Sequence, residues 1–218
     1  MAVLFDQIAD VYDSWYDTPK GRTIFGQEVR CLSHLCRGCS GRWLEVGVGT
    51  GRFAAALGIT YGIDLSLHMA VRAMQRGRQV QVGRAEQLPI RSAVFDGVLL
   101  TLTLCFLEKP ESALPECARV LRRGGRLAIG TIPADSPLGK AYIEKGAAGH
   151  FIYSRARFRT VTETVDIVEK AGFILRESCS ALFDCPDRHP SGPSRLEPGV
   201  IAGAGFVGLL FEACREGA

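Results

Sequence analysis

The chain of 218 residues predicts an α/β fold, a doubly wound and mostly parallel sheet of seven strands with an N-terminal helical segment. Three observations lead there. Short apolar runs alternate with helical patterns from Trp43 to Thr131, as in parallel strands joined by right-handed crossovers. The first run, Trp43–Val46, passes directly into a turn with glycine at every second position, Gly47, Gly49 and Gly51. The polar residues that suggest chemistry fall at the carboxyl ends of these runs, where open α/β sheets bind ligands.

The elements follow in order. Phe5, Ile8, Ala9, Tyr12, Trp15 and Tyr16 recur at three- and four-residue intervals and mark an amphipathic helix. Thr18-Pro19-Lys20-Gly21-Arg22 is expected to end it, and a second helix to run from Thr23 to Leu35. Strands are then expected at Trp43–Val46, Tyr61–Ile63, Val80–Val82, Gly97–Thr101 and Arg126–Thr131. Helices between them are expected near Arg52–Leu57, Leu67–Arg76 and Pro110–Leu121, the last ending in Arg122 and Arg123, where cations favour the helix dipole. Pro133 to Lys140 reads as a loop, followed by a mixed segment through Arg159. A helix from Val161 ends near Ala171, with Gly172 as its left-handed cap. Phe173–Phe183 and Val200–Phe211 read as a final strand pair across a surface loop, Asp184 to Gly199, rich in Pro, Ser, Gly and Arg.

Composition narrows the class. With 47% apolar residues the chain can bury a large core as one domain, residues 1–218. Within it, 1–40 read as a helical lid, 41–132 as the ligand-binding core and 133–218 as an outer segment with the final strands. The net charge of +3 is interspersed and forms no basic stripe, which argues against a nucleic-acid partner. Met1 to Asp6 lacks the features of a secretory leader, and Val200–Phe211 is about half a membrane span. A cytoplasmic protein without a membrane partner is expected. Eight cysteines include the pair Cys36 and Cys39 in C-x-x-C spacing, beside Cys31. Zinc would need four ligands, and the other candidates, Cys179, Cys185 and His34, lie away from that pair. Free thiols are therefore expected, and no metal.

The glycine turn carries the chemistry. Alternate glycines permit positive φ and let a ligand approach without meeting a Cβ, while the next helix aims unpaired N–H groups at it. A dinucleotide site spaces its glycines G-x-G-x-x-G, but here the spacing is G-x-G-x-G, with Glu45 two residues before the first glycine. A carboxylate there repels a diphosphate and accepts from a cationic amine. Glu45 to Gly51 resembles the first motif of class I S-adenosylmethionine (SAM)-dependent methyltransferases. Tyr61-Gly62-Ile63-Asp64 resembles the second, whose acid holds ribose hydroxyls, although Asp64 also suits a helix N-cap, with Ser66 its rival. Val80 to Pro89 resembles the third strand and adenine loop, with Ala85 flanking the ring and Glu86 or Gln87 at its edge. Ser92 to Thr101 and Gly124 to Thr131 match the fourth strand and the fifth with its turn. These motifs cover residues 44 to 131, and the resemblance is to the small "type 11" methyltransferase group.

That resemblance implies a Rossmann-like class I methyltransferase fold, with SAM as cofactor and S-adenosylhomocysteine (SAH) as product. It implies cofactor contacts from Tyr12, Glu45, Gly47, Val48, Gly49, Thr50, Gly51, Asp64, Leu65, Met69, Ala85, Glu86, Gln87, Leu100, Thr101 and Cys105. Tyr12 to Asp17 is similar to a lid segment over the cofactor, where aromatic faces gain from a nearby cation, and the plain alternative is a packing stripe. Lys20 or Arg22 either reaches the cofactor carboxylate or is a solvated cation. Because the sulfonium is already electrophilic, alignment can supply on the order of 7–11 kcal/mol and no catalytic triad is expected. Base candidates are Asp17, Tyr12, Tyr16, Cys105 and His150, with Tyr16 and His150 foremost. The expected reaction is in-line methyl transfer to a small-molecule acceptor. Alternatives are a catalytically silent SAM-binding module and an RNA methyltransferase. The latter wants a basic face or an N/D-P-P-Y/F tetrapeptide, where this chain has Thr101-Leu102-Thr103-Leu104.

Overall fold

Apolar strands that must be covered on both faces dictate the architecture. The computed structural model describes residues 2–37, 40–183 and 195–214. Helices α1 (Ala2–Trp15) and α2 (Pro19–Leu35) precede β1 (Trp43–Val46), α3 (Arg52–Ala56), β2 (Tyr61–Asp64), α4 (Leu67–Gln75) and β3 (Gln79–Val82). Next come β4 (Phe95–Thr101), α5 (Pro110–Val120), β5 (Leu121–Thr131), α6 (Pro137–Ala147) and α7 (Val161–Lys170). The described chain closes with β6 (Phe173–Ala181), β7 (Glu197–Pro198) and β8 (Phe206–Ala213).

The strands form one sheet in the order β3-β2-β1-β4-β5-β8-β6-β7. β1 to β5 run parallel, and β8 lies antiparallel between β5 and β6. The sheet has eight strands where seven were expected: the extra one, β7, is a two-residue edge piece, too short for any periodic signal in the sequence. Because successive strand residues point to opposite faces, β4 feeds both cores. Val98 and Leu100 join Leu114, Cys117 and Val168 of α5 and α7 on one face. Leu99 joins Cys31, Leu32 and Leu35 of α2 on the other. The order reverses between β1 and β4, which opens a crevice at their carboxyl ends.

Three sequence expectations change. Thr18 to Arg22 starts α2 rather than ending α1: Thr18 Oγ1 accepts from Gly21 N at 3.0 Å and Pro19 takes the first helical position. The loop expected from Pro133 to Lys140 holds the start of α6, where Ser136 Oγ accepts from Gly139 N at 2.9 Å ahead of Pro137. The two corners share one pattern, a hydroxyl residue, Pro, any residue and Gly. In each the cap hydroxyl also donates to the carbonyl three residues back, Trp15 O or Pro133 O, at 2.7 Å. A Cβ on Gly21 or Gly139 would collide with that same carbonyl, so each corner demands glycine. Third, Arg122 and Arg123 lie in β5, because Leu121 is already extended, and Arg122 pairs with Asp96 at 2.7 Å. Cys39, Cys185 and most of the Asp184–Gly199 loop lie outside the described residues. Among the described residues no disulfide forms, no group of three metal-ligating side chains assembles, and no helix is long and apolar enough to cross a membrane.

Ions bind α1 to the parallel half of the sheet. Asp13, 8% exposed, meets Arg52 at 2.8 Å and Arg76 at 2.6 Å. Arg52 also reaches Asp17 at 2.8 Å, Asp10 pairs with Arg72, and Asp6 accepts from Ser66 and His68. Burial works against the Asp13 charge, but hydrogen bonds from Arg52, Thr50 and Arg76 outweigh it and hold the carboxyl well below its usual range. The stability this group lends is therefore present above the unfolded value near 3.8 and is lost as acid carries the pH toward the folded value. Asp13→Ala leaves two guanidinium groups without their shared partner and should cost about 2–4 kcal/mol in urea unfolding at neutral pH. An unchanged unfolding midpoint would show that the network contributes nothing net.

Candidate active site

The glycines after β1 do different work. Gly47, Gly49 and Gly51 all have positive φ, at 74°, 54° and 80°. A Cβ at Gly47 would strike the Thr103 side chain, and one at Gly51 would strike Ala73. At Gly49 it would meet no protein atom within 4 Å, so the turn leaves open space there. The turn is pinned to β2, since Gly47 N and Val48 N both donate to Ile63 O, at 2.8 and 2.9 Å. Asp64 completes it: Oδ2 accepts from Gly49 N at 2.7 Å and Oδ1 from Ser66 N at 2.9 Å. Burial raises the Asp64 pKa, and these amides partly offset the rise. The N-cap of α4 is Ser66, which accepts from Met69 N at 3.2 Å, so Asp64 is left to face the crevice.

The crevice is a cleft of ≈ 960 Å³ counted to its open mouth. Gly47 and Gly49 form its floor, Asp64, Leu65 and Met69 one wall, and Gly83 to Glu86 its end. Thr101 to Thr103 and Phe106 to Glu108 form the opposite wall, while Phe5 and Tyr12 of α1 roof it. The roof meets the rim edge to face, with the Phe5 and Phe106 rings 5.1 Å apart. Of the residues expected at a cofactor, Tyr12, Gly47, Gly49, Asp64, Leu65, Met69, Ala85, Glu86 and Thr101 line this cleft.

The others stand elsewhere for identifiable reasons. Leu100 is fully buried on the α5 face of the sheet, and Val48 packs under Gly62. Thr50 offers its carbonyl to Arg76 at 2.8 Å, and Gly51 caps α3 against Ala73. Gln87 is exposed and bridges back to Arg84. Cys105 donates to Leu102 O at 3.4 Å, and burial pushes its thiol up to about 12. Lys20 and Arg22 do not line the cleft. Glu45 is 1% exposed, and burial raises its pKa well above the carboxylate range against the pull of Ala54 N and Thr101. Glu45 Oε2 and Thr101 Oγ1 lie close enough to influence each other but neither finds a partner of full hydrogen-bond geometry, so two buried polar oxygens beside the glycine turn are left under-satisfied.

The two catalytic candidates part company. Tyr16 is 4% exposed behind the roof, its hydroxyl 3.0 Å from that of Tyr12, and burial raises its pKa well above the usual value. His150 is exposed at the surface and stacks on Tyr153 at 4.4 Å, away from the cleft lining. Asp17 is tied to Arg52. Sequence reasoning missed Phe5, Thr103, Phe106 and Glu108 at the cleft, of which Phe5 alone carried a signal, its place in the α1 stripe. It also missed Glu28 on α2, a carboxyl 3% exposed whose burial raises its pKa to about 8. Glu28 stands on the apolar stripe of α2, four residues after Ile24 and four before Leu32, so its position carried a signal of burial that its acidic side chain masked.

Comparison with known proteins decides the family. A family model described as a methyltransferase domain matches residues 44–129. The fold is similar, with a TM-score of 0.91, to a crystal structure from Thermotoga maritima described as a SAM-dependent methyltransferase and possible histamine N-methyltransferase. That chain is 33% identical, the match covering 98% of this chain and 100% of the other. The chain belongs to the SAM-dependent methyltransferases. Among curated relatives, an uncharacterized protein of Methanocaldococcus jannaschii is 40% identical over 83% of this chain and 85% of its own. A phosphatidylethanolamine N-methyltransferase of Cereibacter sphaeroides is 31% identical over 57% of this chain and 67% of its own. The enzyme uses SAM, and its site suits that cofactor: open space above Gly49 admits a ligand, and Thr101 on the cleft lining keeps a buried hydroxyl without a full hydrogen-bond partner.

Glu28 makes stability depend on pH. The folded carboxyl keeps its proton to about pH 8, whereas the unfolded chain releases it near 4.5. Between those values the folded state holds the extra proton, so this contribution declines as pH rises through the interval. Glu28→Gln should remove the decline and, near pH 9, leave the variant about 3–5 kcal/mol more stable than its parent. Parallel stability-against-pH curves for the two proteins would refute this burial effect.

Proposed function

We propose that this enzyme transfers the SAM methyl group to a small-molecule acceptor by in-line displacement, in the cytoplasm and without a nucleic-acid or membrane partner. The observation that carries the reading is the roof: α1 covers the cleft with Phe5 and Tyr12 and is held down by a chain of ion pairs, which suits an acceptor that is enclosed and desolvated. A broad groove for a macromolecule would want an open, cationic rim. Among the relatives, the names of some state amine acceptors, histamine as a possible one and phosphatidylethanolamine. Another is a malonyl-(acyl-carrier protein) O-methyltransferase, so amines are one precedent among several.

In this reading SAM supplies an electrophilic methyl group on a sulfonium. Asp64, already oriented by Gly49 N and Ser66 N, receives the ribose hydroxyls. Thr101, on the cleft lining with Glu45 buried behind it, meets the amino-acid end, and Ala85 with Glu86 flanks the adenine. Tyr12 and Phe5 exclude water from the reacting end. Incubation with labelled SAM and a panel of small acceptors should give methylated product and SAH, and methylation confined to RNA would overturn the small-molecule reading.

Calorimetry should show SAM and SAH binding in the micromolar range or tighter and NAD binding far more weakly. Asp64→Ala should lose about 1.5–4 kcal/mol of SAM affinity while staying folded. Gly49→Val should abolish binding, because its branched side chain fills the open space above the turn. Full affinity in a folded Asp64→Ala protein would reduce that residue to an organiser of the turn.

A further inference from the structure

We propose that the flank formed by α4 and the edge strand β3 is a docking surface for a separate, acidic protein, which extends the sheet by pairing one of its strands with β3. This surface lies beside the cleft and goes beyond the methyl transfer proposed above.

Helix α4 has three flanks, and two are in use. Met69, Ala70 and Ala73 are buried toward the sheet. His68, Arg72 and Arg76 turn to α1, where they meet Asp6, Asp10 and Asp13. The third flank carries Leu67, Val71 and Met74, four and three residues apart and therefore in one row, and these are 56%, 40% and 44% exposed. The outward side of a surface helix is ordinarily polar, so this row is apolar surface without a partner. Asp13 joins Arg76 to Arg52 of α3, which places α1 on the α3 side of α4. The apolar row faces the other way, toward the edge of the sheet.

That edge is β3, and its outer side is open. Gln79 N donates to Thr60 O at 2.8 Å and Gly83 N to Asp64 O at 2.9 Å, so the odd-numbered residues turn their backbone groups to β2. Alternation points the N–H and C=O groups of Val80 and Val82 outward, and among the described residues no other strand takes them. The Val80 side chain packs into the core that Ala73 of α4 shares. Val82, on the same face, is 46% exposed and continues the apolar row onto the strand.

Charge selects the occupant. From Leu67 to Ala85 the chain carries four arginines, one histidine and no acid. The acids of α1 answer His68, Arg72 and Arg76, which leaves Arg78 and Arg84 at the two ends of β3. Arg78 donates to the carbonyls of Ile59 and Arg76, and Arg84 stands 3.7 Å from Glu86 with its side chain 57% exposed. An antiparallel second copy of β3 would set Arg78 of one chain near Arg84 of the other, like charge against like. A strand from another protein, with acids at its ends and β-branched residues between them, complements this edge in backbone, apolar row and charge. A nucleic acid would meet the arginines but leave Leu67, Val71 and Met74 uncovered.

The test follows amide signals of the full-length, nitrogen-15-labelled protein by NMR during titration with the strand peptide acetyl-EVTVTVE-amide or its basic counterpart acetyl-KVTVTVK-amide. The acidic peptide should shift the Val80 and Val82 amides and those of α4 with a Kd below about 1 mM, and the basic peptide should bind about tenfold or more weakly. Val71→Glu should weaken the acidic peptide about tenfold or more while SAH affinity is unchanged. Arg84→Glu should remove the preference for the acidic peptide. Equal binding of both peptides, a Val71→Glu protein that binds like its parent, or no shift on β3 at millimolar acidic peptide would each overturn the proposal. A dimer in sedimentation that Val71→Glu dissociates would overturn it in favour of a second copy, and oligouridylate shifting the same amides in favour of a nucleic acid.

Discussion

The roof of the cleft depends on where α1 lies, and the Asp13 carboxylate between Arg52 and Arg76 ties that helix down. A carboxylate taken out of water is tolerable only when cations and hydrogen bonds replace its hydration. The guanidinium groups come from α3 and α4, the helices that follow the glycine turn and the Asp64 strand. The same contact therefore joins the roof to the elements that shape the floor. Tyr12 and Phe5 hang over the cleft because Asp13, one residue beyond Tyr12, is fixed. Tyr16, one helical turn further, is held against Phe25 and Phe53 by edge-to-face packing.

The site divides into a rigid part and a variable part. Strand ends and the glycine turn supply backbone amides and short side chains whose positions follow from sheet pairing. Helices α1, α2 and α6 supply long aromatic and acidic side chains from outside the sheet. The family model covers the first set, residues 44–129. In the proposed function acceptor chemistry belongs to the second, where a side-chain change leaves the sheet untouched.

The sequence made the first set legible. The alternating block from Trp43 to Thr131 placed β1 to β5 within a few residues, because each strand is a short apolar run closed by a turn signal. The glycine turn and Asp64 were legible for the same local reason. What stayed hidden was long-range. Thr18-Pro19 and Ser136-Pro137 read as breaks because Pro punctuates both helix starts and helix ends, and only the close approach of Gly21 and Gly139 to a carbonyl separates the cases. Arg122 looked like a helix terminus until Asp96, distant in sequence, claimed it for the sheet. Glu45 was legible as an acid in the motif but not as a buried one, since burial depends on α3 folding over it. Glu28 sits on the apolar stripe of α2, but an acid at that position reads as a break in the stripe, and its burial shows only once the helix is packed.

The two hydroxyl–Pro–x–Gly corners fix more than helix starts. Each locks the rotational phase of the helix it begins, because its glycine admits no Cβ against the carbonyl behind it. Glu28 lies two turns along from Gly21, and Tyr142 lies one turn along from Gly139. Each side chain's compass bearing is thus counted off from its corner. A residue inserted between Gly21 and Glu28 would swing the carboxyl about 100° around the helix axis and out of its buried place. The bearing of the side chains on α2 and α6 is accordingly set by spacing from these two corners as much as by the sequence of the helices themselves.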